Sequence, residues 1–570
     1  MILRKLPNGI SNYEDLVNEN RIYIDKTMYI KKMEDLADKT IMFLRPRKFG
    51  KTLFTSTLEC YYDLKKENEF DKLFANTYIG KNPTSNKNRY HILRFNFSGI
   101  DTTDLNSTLN GFKNTTIESI KLFVEKYKID FFINIEHGAE EILNSLFTAF
   151  SLQKSNEKIY VIIDEYDHFA NELLGFKTDE FKNLVSKNGK IRKWYEILKK
   201  GTESVVDRIF ITGVAPITLD STTSGFNIAR DITKNIYFND MLGFNKNDVK
   251  YLMTELEVPE TAQEKLAPII KENYDGYIFS DAIKENLEKY KMYNPNMTLF
   301  FLTNYLELQD VPDNLVDTNI ISDYSKIEAF MNLCKDMGKI DILEKLVAGD
   351  PVESELTEKF NAEISFGEKE LISLLYYLGY VTIYEKGYSK FKFKIPNDVI
   401  RKIYSEYFLK YISTIAQINT NKIDTESITI EILEHGKIDK ILEVLKQYLS
   451  NLSNRDYQRF DEKYVKVIFY SICRMLGAMI VKSELEVGGK YADILLVPTE
   501  KLEERFGALI EFKYISKEDY EKNNNLLLQK QLEAKSQLET YKQSEEIKLI
   551  PHLRSYSVVV IKDNLVVDEV

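Results

Sequence analysis

Apolar residues in the first two hundred positions gather in short, dense runs separated by longer stretches in which they recur at helical spacing. The short runs are Ile41 to Leu44, His91 to Phe97, Ile159 to Ile163 and Arg208 to Thr212. They are too brief for helices and rich in β-branched and aromatic residues, so they predict strands; the stretches between them predict helical crossovers. That rhythm predicts an α/β segment with a parallel sheet and helices on both faces. From about Asn245 to Gln447 the pattern turns mostly helical, with amphipathic stretches at Lys246 to Leu256 and Ile340 to Val347 and no heptad seam.

Inside that helical region, Glu368 to Leu378 predicts a helix, Tyr380 to Ile395 a two-stranded hairpin, and Asp398 to Leu409 a second helix. The order resembles a winged-helix unit, a shape that reads DNA in some proteins and packs against an ATPase core in others; packing is the expected role here. After residue 455 the pattern changes again, to a helix, three β-runs, a long polar helix from Lys517 to Glu546, and closing strands. Four regions result: 1–245, 246–365, 366–450 and 451–570.

Composition agrees with several cores in one chain, since 570 residues exceed what a single core organises. Apolar residues make up 44% and charged residues 29%, a globular balance. The longest apolar stretch, Leu371 to Tyr384, contains Gly379 and falls short of the ~20 residues of a spanning helix, which argues against a membrane protein. The opening residues lack an apolar run followed by a small-residue cleavage site, so the cytoplasm is the expected address. Cys60, Cys334 and Cys473 are scattered, as are His91, His137, His168, His435 and His552, which argues against a disulfide framework or a zinc site. A net charge of -11 does not advertise nucleic-acid binding, although a whole-chain sum hides any local basic groove.

The candidate chemistry starts at the first strand. Ile41-Met-Phe-Leu-Arg-Pro-Arg-Lys-Phe-Gly-Lys-Thr-Leu sets an apolar strand before a loop ending in Gly50-Lys51-Thr52, with a helix expected through Tyr62. Backbone N–H groups and the positive end of that helix suit phosphates, Lys51 reaches the β- and γ-oxygens of ATP, and Thr52 ligates Mg²⁺. The loop Arg45, Pro46, Arg47, Lys48, Phe49, Gly50, Lys51 and Thr52 is therefore the expected nucleotide site, with Arg45 standing where the usual pattern has its first glycine. Ile159-Tyr-Val-Ile-Ile-Asp-Glu is a buried type of strand ending in acids, with Asp164 expected on the magnesium shell and Glu165 orienting the attacking water. Thr212, ending the next strand, is a candidate sensor of the γ-phosphate.

These residues carry a family resemblance. Ile10-Ser-Asn-Tyr, Tyr23-Ile-Asp25-Lys26-Thr27, Arg45-Pro-Arg-Lys-Phe-Gly-Lys-Thr52, Asp164-Glu-Tyr-Asp167 and Thr212-Gly-Val-Ala-Pro216 resemble the signature blocks of bacterial AAA-ATPase-like proteins. The likeness continues through Ser224-Gly-Phe-Asn227, Leu242-Gly-Phe244, Tyr274-Asp-Gly-Tyr277 and Tyr293-Asn-Pro295. In that family the loop reads Arg-Pro-Arg-Arg-Phe-Gly-Lys, so Arg45 belongs to the pattern and Lys48 departs from it. The resemblance implies an AAA-type P-loop domain over 1–245, and many members carry a C-terminal PD-(D/E)XK nuclease domain. Basic residues also gather at Lys190, Arg192, Lys193, Lys199 and Lys200 around the only tryptophan, Trp194; a solvated helix face is the expected reading, a phosphate-tracking stripe the alternative.

The last region holds a second constellation. Gly488-Gly-Lys-Tyr-Ala-Asp493-Ile-Leu-Leu-Val497 predicts a strand opened by a glycine turn, and Ala508-Leu-Ile-Glu511-Phe-Lys513-Tyr predicts the next. Glu511 and Lys513 differ by two and share one face of a strand, with Asp493 across the hairpin. Two carboxylates at a sheet edge suit Mg²⁺ or Mn²⁺, and a lysine two residues on orients a water for attack on phosphorus. Glu462 and Glu484 are further metal-side candidates, and Gln537 a candidate contact to the substrate backbone. The segment resembles that family's PD-(D/E)XK nuclease domain, expected over 451–570, although Lys490-Tyr491-Ala492 stands where a Gly-Arg-x turn is frequent.

The reading is thus an ATP-binding and ATP-hydrolysing protein whose C-terminal domain cleaves a phosphodiester of nucleic acid, DNA favoured over RNA, under control of the ATPase. The alternative is an ATP-dependent signalling or recruitment switch with an inactive nuclease-like end. A homo-oligomer completing its sites with a neighbour's arginine is compatible with Arg192, Arg208 or Arg230, none of which stands out.

Overall fold

The computed structural model describes residues 5–154, 156–168, 189–217, 228–283, 287–312, 314–317, 338–360, 366–452, 461–487, 490–499, 505–523 and 525–570. The chain forms two compact units, Met1–Asp336 with Glu353–Asn397, and Met337–Val352 with Asp398–Val570. Among the described residues no helix is long and apolar enough to cross a membrane.

The first unit is built on strands β1 (Thr40–Leu44), β2 (His91–Asn96), β3 (Ile159–Asp164), β4 (Val206–Gly213) and β5 (Arg230–Asp231), in the order β2-β3-β4-β1-β5. Every pairing is parallel, as the alternation of strands and helices predicts. Side chains alternate between the two faces, so each face needs its own cover. Ile92, Tyr160, Ile162 and Phe210 join Phe54 and Leu58 of the helix Lys51–Tyr62 in one core. On β2 the opposite parity carries Phe95, whose ring packs edge-on against Trp194 with centroids 4.9 Å apart, beside Phe112 at 5.4 Å from the indole. Trp194 is fully buried there, so it stacks on protein rather than on a base; of the basic residues on its helix Lys190–Gly201, Lys190, Lys193 and Lys200 are exposed, whereas Arg192 is buried. Arg192 of that helix pairs with Glu196 at 3.1 Å, and Arg230 with Asp38 at 2.7 Å.

The helices Lys246–Glu255, Glu260–Tyr274 and Pro295–Leu308 follow, the first closed by a capping box between Asn245 and Asp248. A short strand β6 (Val352–Ser354) precedes the helix Glu368–Leu378 and the hairpin β7 (Thr382–Lys386) and β8 (Phe391–Lys394), close to the expected bounds. This part packs on the Ile278–Phe279 segment and on Pro46 of the same unit. Tyr376 donates its hydroxyl to the Phe279 carbonyl at 2.9 Å, Ile278 N–H donates to Thr382 Oγ1 at 2.9 Å, and a Cβ at Gly379 would stand 2.9 Å from the Pro46 ring. The next helix, Asp398–Ala416, belongs to the second unit, so the unit boundary falls inside the segment expected to form a winged-helix-like unit.

The second unit contains strands β9 (Met479–Val487), β10 (Lys490–Pro498), β11 (Gly507–Ile515), β12 (Leu553–Ile561) and β13 (Asn564–Glu569), in the order β13-β12-β11-β10-β9. Only β11 and β12 run parallel; the other pairs are antiparallel. The single polar helix expected over Lys517 to Glu546 is three helices, Lys517–Lys522, Leu526–Lys542 and Glu545–Lys548. Asn523 interrupts it by adopting an extended conformation and accepting the Asn525 N–H on its side chain at 3.0 Å, and Ser544 caps the last piece.

Candidate functional site

β1 ends at Leu44, and the chain turns through Arg45–Gly50 into the helix Lys51–Tyr62. Gly50, the residue that opens the helix, has φ +89°, a left-handed conformation that glycine adopts without steric cost. Lys51 is buried, donates to the Arg45 and Pro46 carbonyls at 3.1 Å each, and lies 3.5 Å from Glu165 Oε1.

Arg45 explains why the loop lacks its first glycine. Its side chain is buried and turned away from the cavity. Its guanidinium donates to the Leu44, Thr233, Phe238 and Asn239 carbonyls at 2.9, 3.0, 3.0 and 3.2 Å. It also lies 4.1 Å from the ring centroids of both Phe43 and Phe279. Burial lowers its pKa to about 9, so it is still charged at neutral pH. It anchors the loop from behind. Phe49, in the same loop, is held edge-on to Tyr277 at 5.1 Å and to Phe279 at 5.3 Å.

At the end of β3, Asp164 is fully buried. Its Oδ2 accepts from the Thr55 hydroxyl at 3.3 Å and lies 3.6 Å from the Arg94 guanidinium, whereas Oδ1 is buried without a hydrogen-bond partner. Burial and then the neighbouring Glu165 raise its pKa against the pull of Lys51, Arg94 and Thr52. A buried carboxylate oxygen without a donor, beside Thr52, fits a hard cation with oxygen ligands. Glu165 follows with φ +53°; burial pushes its pKa up, but Lys51, Arg47 and His168 outweigh burial and hold it below the ordinary value.

The rest of that acidic block is scaffold. Asp167 accepts the Val214 N–H on both oxygens at 3.0 Å and the Ala215 N–H at 2.6 Å, and the Tyr166 hydroxyl donates to the Ala215 carbonyl at 2.7 Å. Gly213 makes that approach possible, because a Cβ there would meet Asp167 Oδ1 at 2.1 Å. Thr212, expected as a phosphate sensor, donates its hydroxyl to the Phe43 carbonyl at 2.8 Å and stitches β4 to β1 instead.

A cavity of about 950 Å³ opens over the loop. Arg47, Lys48, Phe49, Gly50, Lys51, Thr52 and Glu165 line it; Arg45, Pro46 and Thr212 do not. Its far wall is Ile10, Ile22, Leu242, Phe244 and Leu299, with Lys26 and Asn296 as polar groups. Asn96, at the end of β2 opposite Asp164, and His168, 3.4 Å from the Arg47 guanidinium, also line it. Sequence reasoning missed both as site residues. A polar residue at the carboxyl end of a predicted strand was the available signal for Asn96; His168 sits only three residues past Glu165.

In the second unit, the antiparallel register of Ile494 with Ile510 brings Asp493 beside Glu511. Asp493 Oδ2 accepts the Phe512 N–H at 2.7 Å, and Lys513 Nζ donates to Glu511 Oε1 at 2.9 Å. The alternation predicted for β11 holds: Phe512 points the other way and packs on Phe469, with centroids 5.0 Å apart. All three polar side chains are buried, and Glu511 Oε2 has no hydrogen-bond partner. Burial, and then the Asp493 charge, push the Glu511 pKa up to about 7. Burial also raises Asp493, while Glu511 raises Lys513 against its own burial.

Glu462 opens the helix Glu462–Cys473 and reaches this group through cations: its Oε1 lies 3.0 Å from Lys466 Nζ and 3.8 Å from Lys513 Nζ. Lys466, absent from the sequence reading, lies 2.5 Å from Asp493 Oδ1. The side chain of Glu484 on β9 lies outside the described residues. Gln537 sits on the helix Leu526–Lys542, which packs on the sheet through Leu538, and its Oε1 is buried without a hydrogen-bond partner. Among the described residues no three carboxylate, histidine or cysteine side chains form a metal cage. A pair of carboxylates nonetheless fits magnesium, which takes one or two together with water and phosphate oxygens.

Two stretches of the chain match known families. Residues 7–223 match the family model described as a predicted AAA-ATPase. Residues 460–569 match that of the PD-(D/E)XK nuclease superfamily. No curated protein matches the chain.

Proposed function

We propose that this chain, carrying an AAA-ATPase-like segment and a PD-(D/E)XK nuclease-superfamily segment, hydrolyses ATP and uses that cycle to control cleavage of a nucleic-acid phosphodiester, DNA in preference to RNA. The observation that carries the reading is the cross-strand placing of Asp493 beside Glu511 on two inner strands, with Glu511 hydrogen-bonded to Lys513, in a chain that also holds Lys51, Asp164 and Glu165 around a phosphate-type loop.

In the first unit the N–H groups of Gly50 to Thr52 and the Lys51 ammonium hold the phosphates, and the apolar far wall holds the nucleoside. Asp164 and Thr52 would hold magnesium. Glu165 turns the attacking water toward the γ-phosphorus. Nucleotide binding reaches the middle of the chain through Phe49, whose ring is fixed between Tyr277 and Phe279.

In the second unit Asp493 and Glu511 hold the metal, with Glu484 as a further candidate ligand, and Gln537 meets the substrate backbone. A divalent metal held there would stabilise the charge that develops on the phosphoryl oxygens. Lys513 would orient a water for attack on phosphorus. The water oxygen forms the new bond to phosphorus, the phosphorus–oxygen bond to one sugar breaks, one water proton is released, and the departing oxygen takes up a proton.

Cleavage of plasmid, single-stranded DNA and RNA with Mg²⁺ or Mn²⁺, with and without ATP, tests this. Wild type is expected to cut DNA, Lys513→Ala to lose cutting, Lys51→Ala to lose ATP control, and Asp164→Asn to lose magnesium-dependent ATP turnover. A wild type inert under every condition refutes the nuclease reading. That result would favour the recruitment switch, for which the occupation of both Asp493 oxygens by internal donors speaks. Unaltered cutting in Lys51→Ala refutes the coupling, and unaltered turnover in Asp164→Asn removes that residue from the site.

A further inference from the structure

Resting on the reading of Asp493 and Glu511 as a metal pair, the geometry points to Lys466 as an internal cation that occupies the metal's place and must withdraw before a divalent ion binds. Its ammonium lies between Asp493 Oδ1 at 2.5 Å and Glu462 Oε1 at 3.0 Å. The other Asp493 oxygen is held by the Phe512 N–H at 2.7 Å, so Oδ1 is the one without a backbone donor. That oxygen is the one Lys466 covers. On the Glu511 side the partly matching position is open, because Oε2 is buried and lacks a donor.

Charge gives the same answer. Three carboxylates, Glu462, Asp493 and Glu511, face two ammonium groups, Lys466 and Lys513, and a divalent cation added to this set is repelled by both lysines at close range. Lys513 is paired with Glu511 on the same strand, whereas Lys466 reaches the group from the helix Glu462–Cys473. Its helix cannot move aside easily, because Val465, Ile468 and Phe469 are buried and Phe469 packs on Phe512. The flexible four-carbon stem of Lys466 can. Its side chain is 19% exposed, against 4% for Asp493, so it has a path outward. A phosphodiester arriving at the site offers the displaced ammonium a new anion. Metal loading is therefore linked to substrate, and the nuclease-like domain stays unloaded without it.

The test is Mn²⁺ binding to the full chain by titration calorimetry, without nucleotide or nucleic acid, so that no turnover is read. Lys466→Met removes the charge and keeps most of the stem; Lys466→Gln is the second variant should the first not fold, with circular dichroism as the check. Either is expected to bind Mn²⁺ about tenfold or more tightly than wild type, through a site abolished by Asp493→Asn. A short phosphorothioate oligonucleotide is expected to tighten Mn²⁺ binding in wild type and to do so much less in Lys466→Met. Equal or weaker Mn²⁺ binding in folded Lys466 variants overturns the proposal while leaving the metal pair intact. Absence of any Asp493-dependent Mn²⁺ site in wild type and variants alike overturns the metal pair, and the proposal with it.

Discussion

Replacing Arg45 separates two roles that its place in the loop leaves open: contact with phosphate, or support of the loop from behind. The guanidinium donates to four backbone carbonyls between 2.9 and 3.2 Å and is enclosed by two phenyl rings. Hydrogen bonds from a charged group contribute roughly 1.5–3 kcal/mol each, and each buried acceptor left without a donor costs about 1–3 kcal/mol. These contributions are not additive, and water enters the space, so Arg45→Ala is expected to destabilise the first unit by about 3–5 kcal/mol. Arg45→Lys keeps the charge but loses the planar fork, with an expected loss of about 1–2 kcal/mol. Trp194 is the only tryptophan and lies buried in the same unit, so its fluorescence during urea unfolding reports on this unit alone. ATP affinity, measured in parallel below the unfolding range, is expected to change little in Arg45→Lys. A shift in stability below about 1 kcal/mol in Arg45→Ala, with ATP affinity reduced tenfold, would refute the anchoring role and make Arg45 a phosphate contact.

Gly213→Ala is expected to destabilise by about 2–3 kcal/mol or more in the same unfolding assay, because the added Cβ meets Asp167 Oδ1 at 2.1 Å and the Tyr166 ring at 2.6 Å; wild-type stability would mean that the Asp167 clamp is loose. Glu511 has its pKa raised to about 7 from an ordinary value of 4.5, so between those values the folded chain holds a proton that the unfolded chain has released. Its contribution to stability is therefore full below about pH 4.5 and lost as pH rises through 7. Glu511→Gln is expected to flatten that part of the stability profile, and wild-type Mn²⁺ affinity to rise with pH through the same range; a Glu511→Gln profile parallel to wild type would remove Glu511 as the titrating group.

Much of the fold is legible in the sequence because local pattern and global structure agree. Buried strands such as Ile159–Asp164 are continuous apolar runs, and only a parallel sheet covered on both faces accommodates several of them. The two candidate sites are legible for a related reason. Glycine, lysine and threonine at a strand-to-helix turn, or Glu511 and Lys513 two apart on a strand, have geometry fixed by the element that carries them. The polar stretch after Lys513 departs from one continuous helix because an asparagine competes with the helix through its own side chain, an effect that composition averages away.

The sequence by itself determined the strands of the parallel sheet, most of the helices, and the elements that carry Lys51, Asp164, Asp493, Glu511 and Lys513. Only the tertiary structure decided which neighbours those groups meet. It turned Arg45 into the core behind the loop, gave Thr212 to the Phe43 carbonyl, closed Asp167 onto Val214 and Ala215, and set Lys466 against Asp493. The physical reason is range. Backbone conformation and side-chain parity are set by residues a few positions apart, whereas the partner of a buried charge is whichever group the packing of distant segments brings within about 3 Å, and burial makes that choice costly to change.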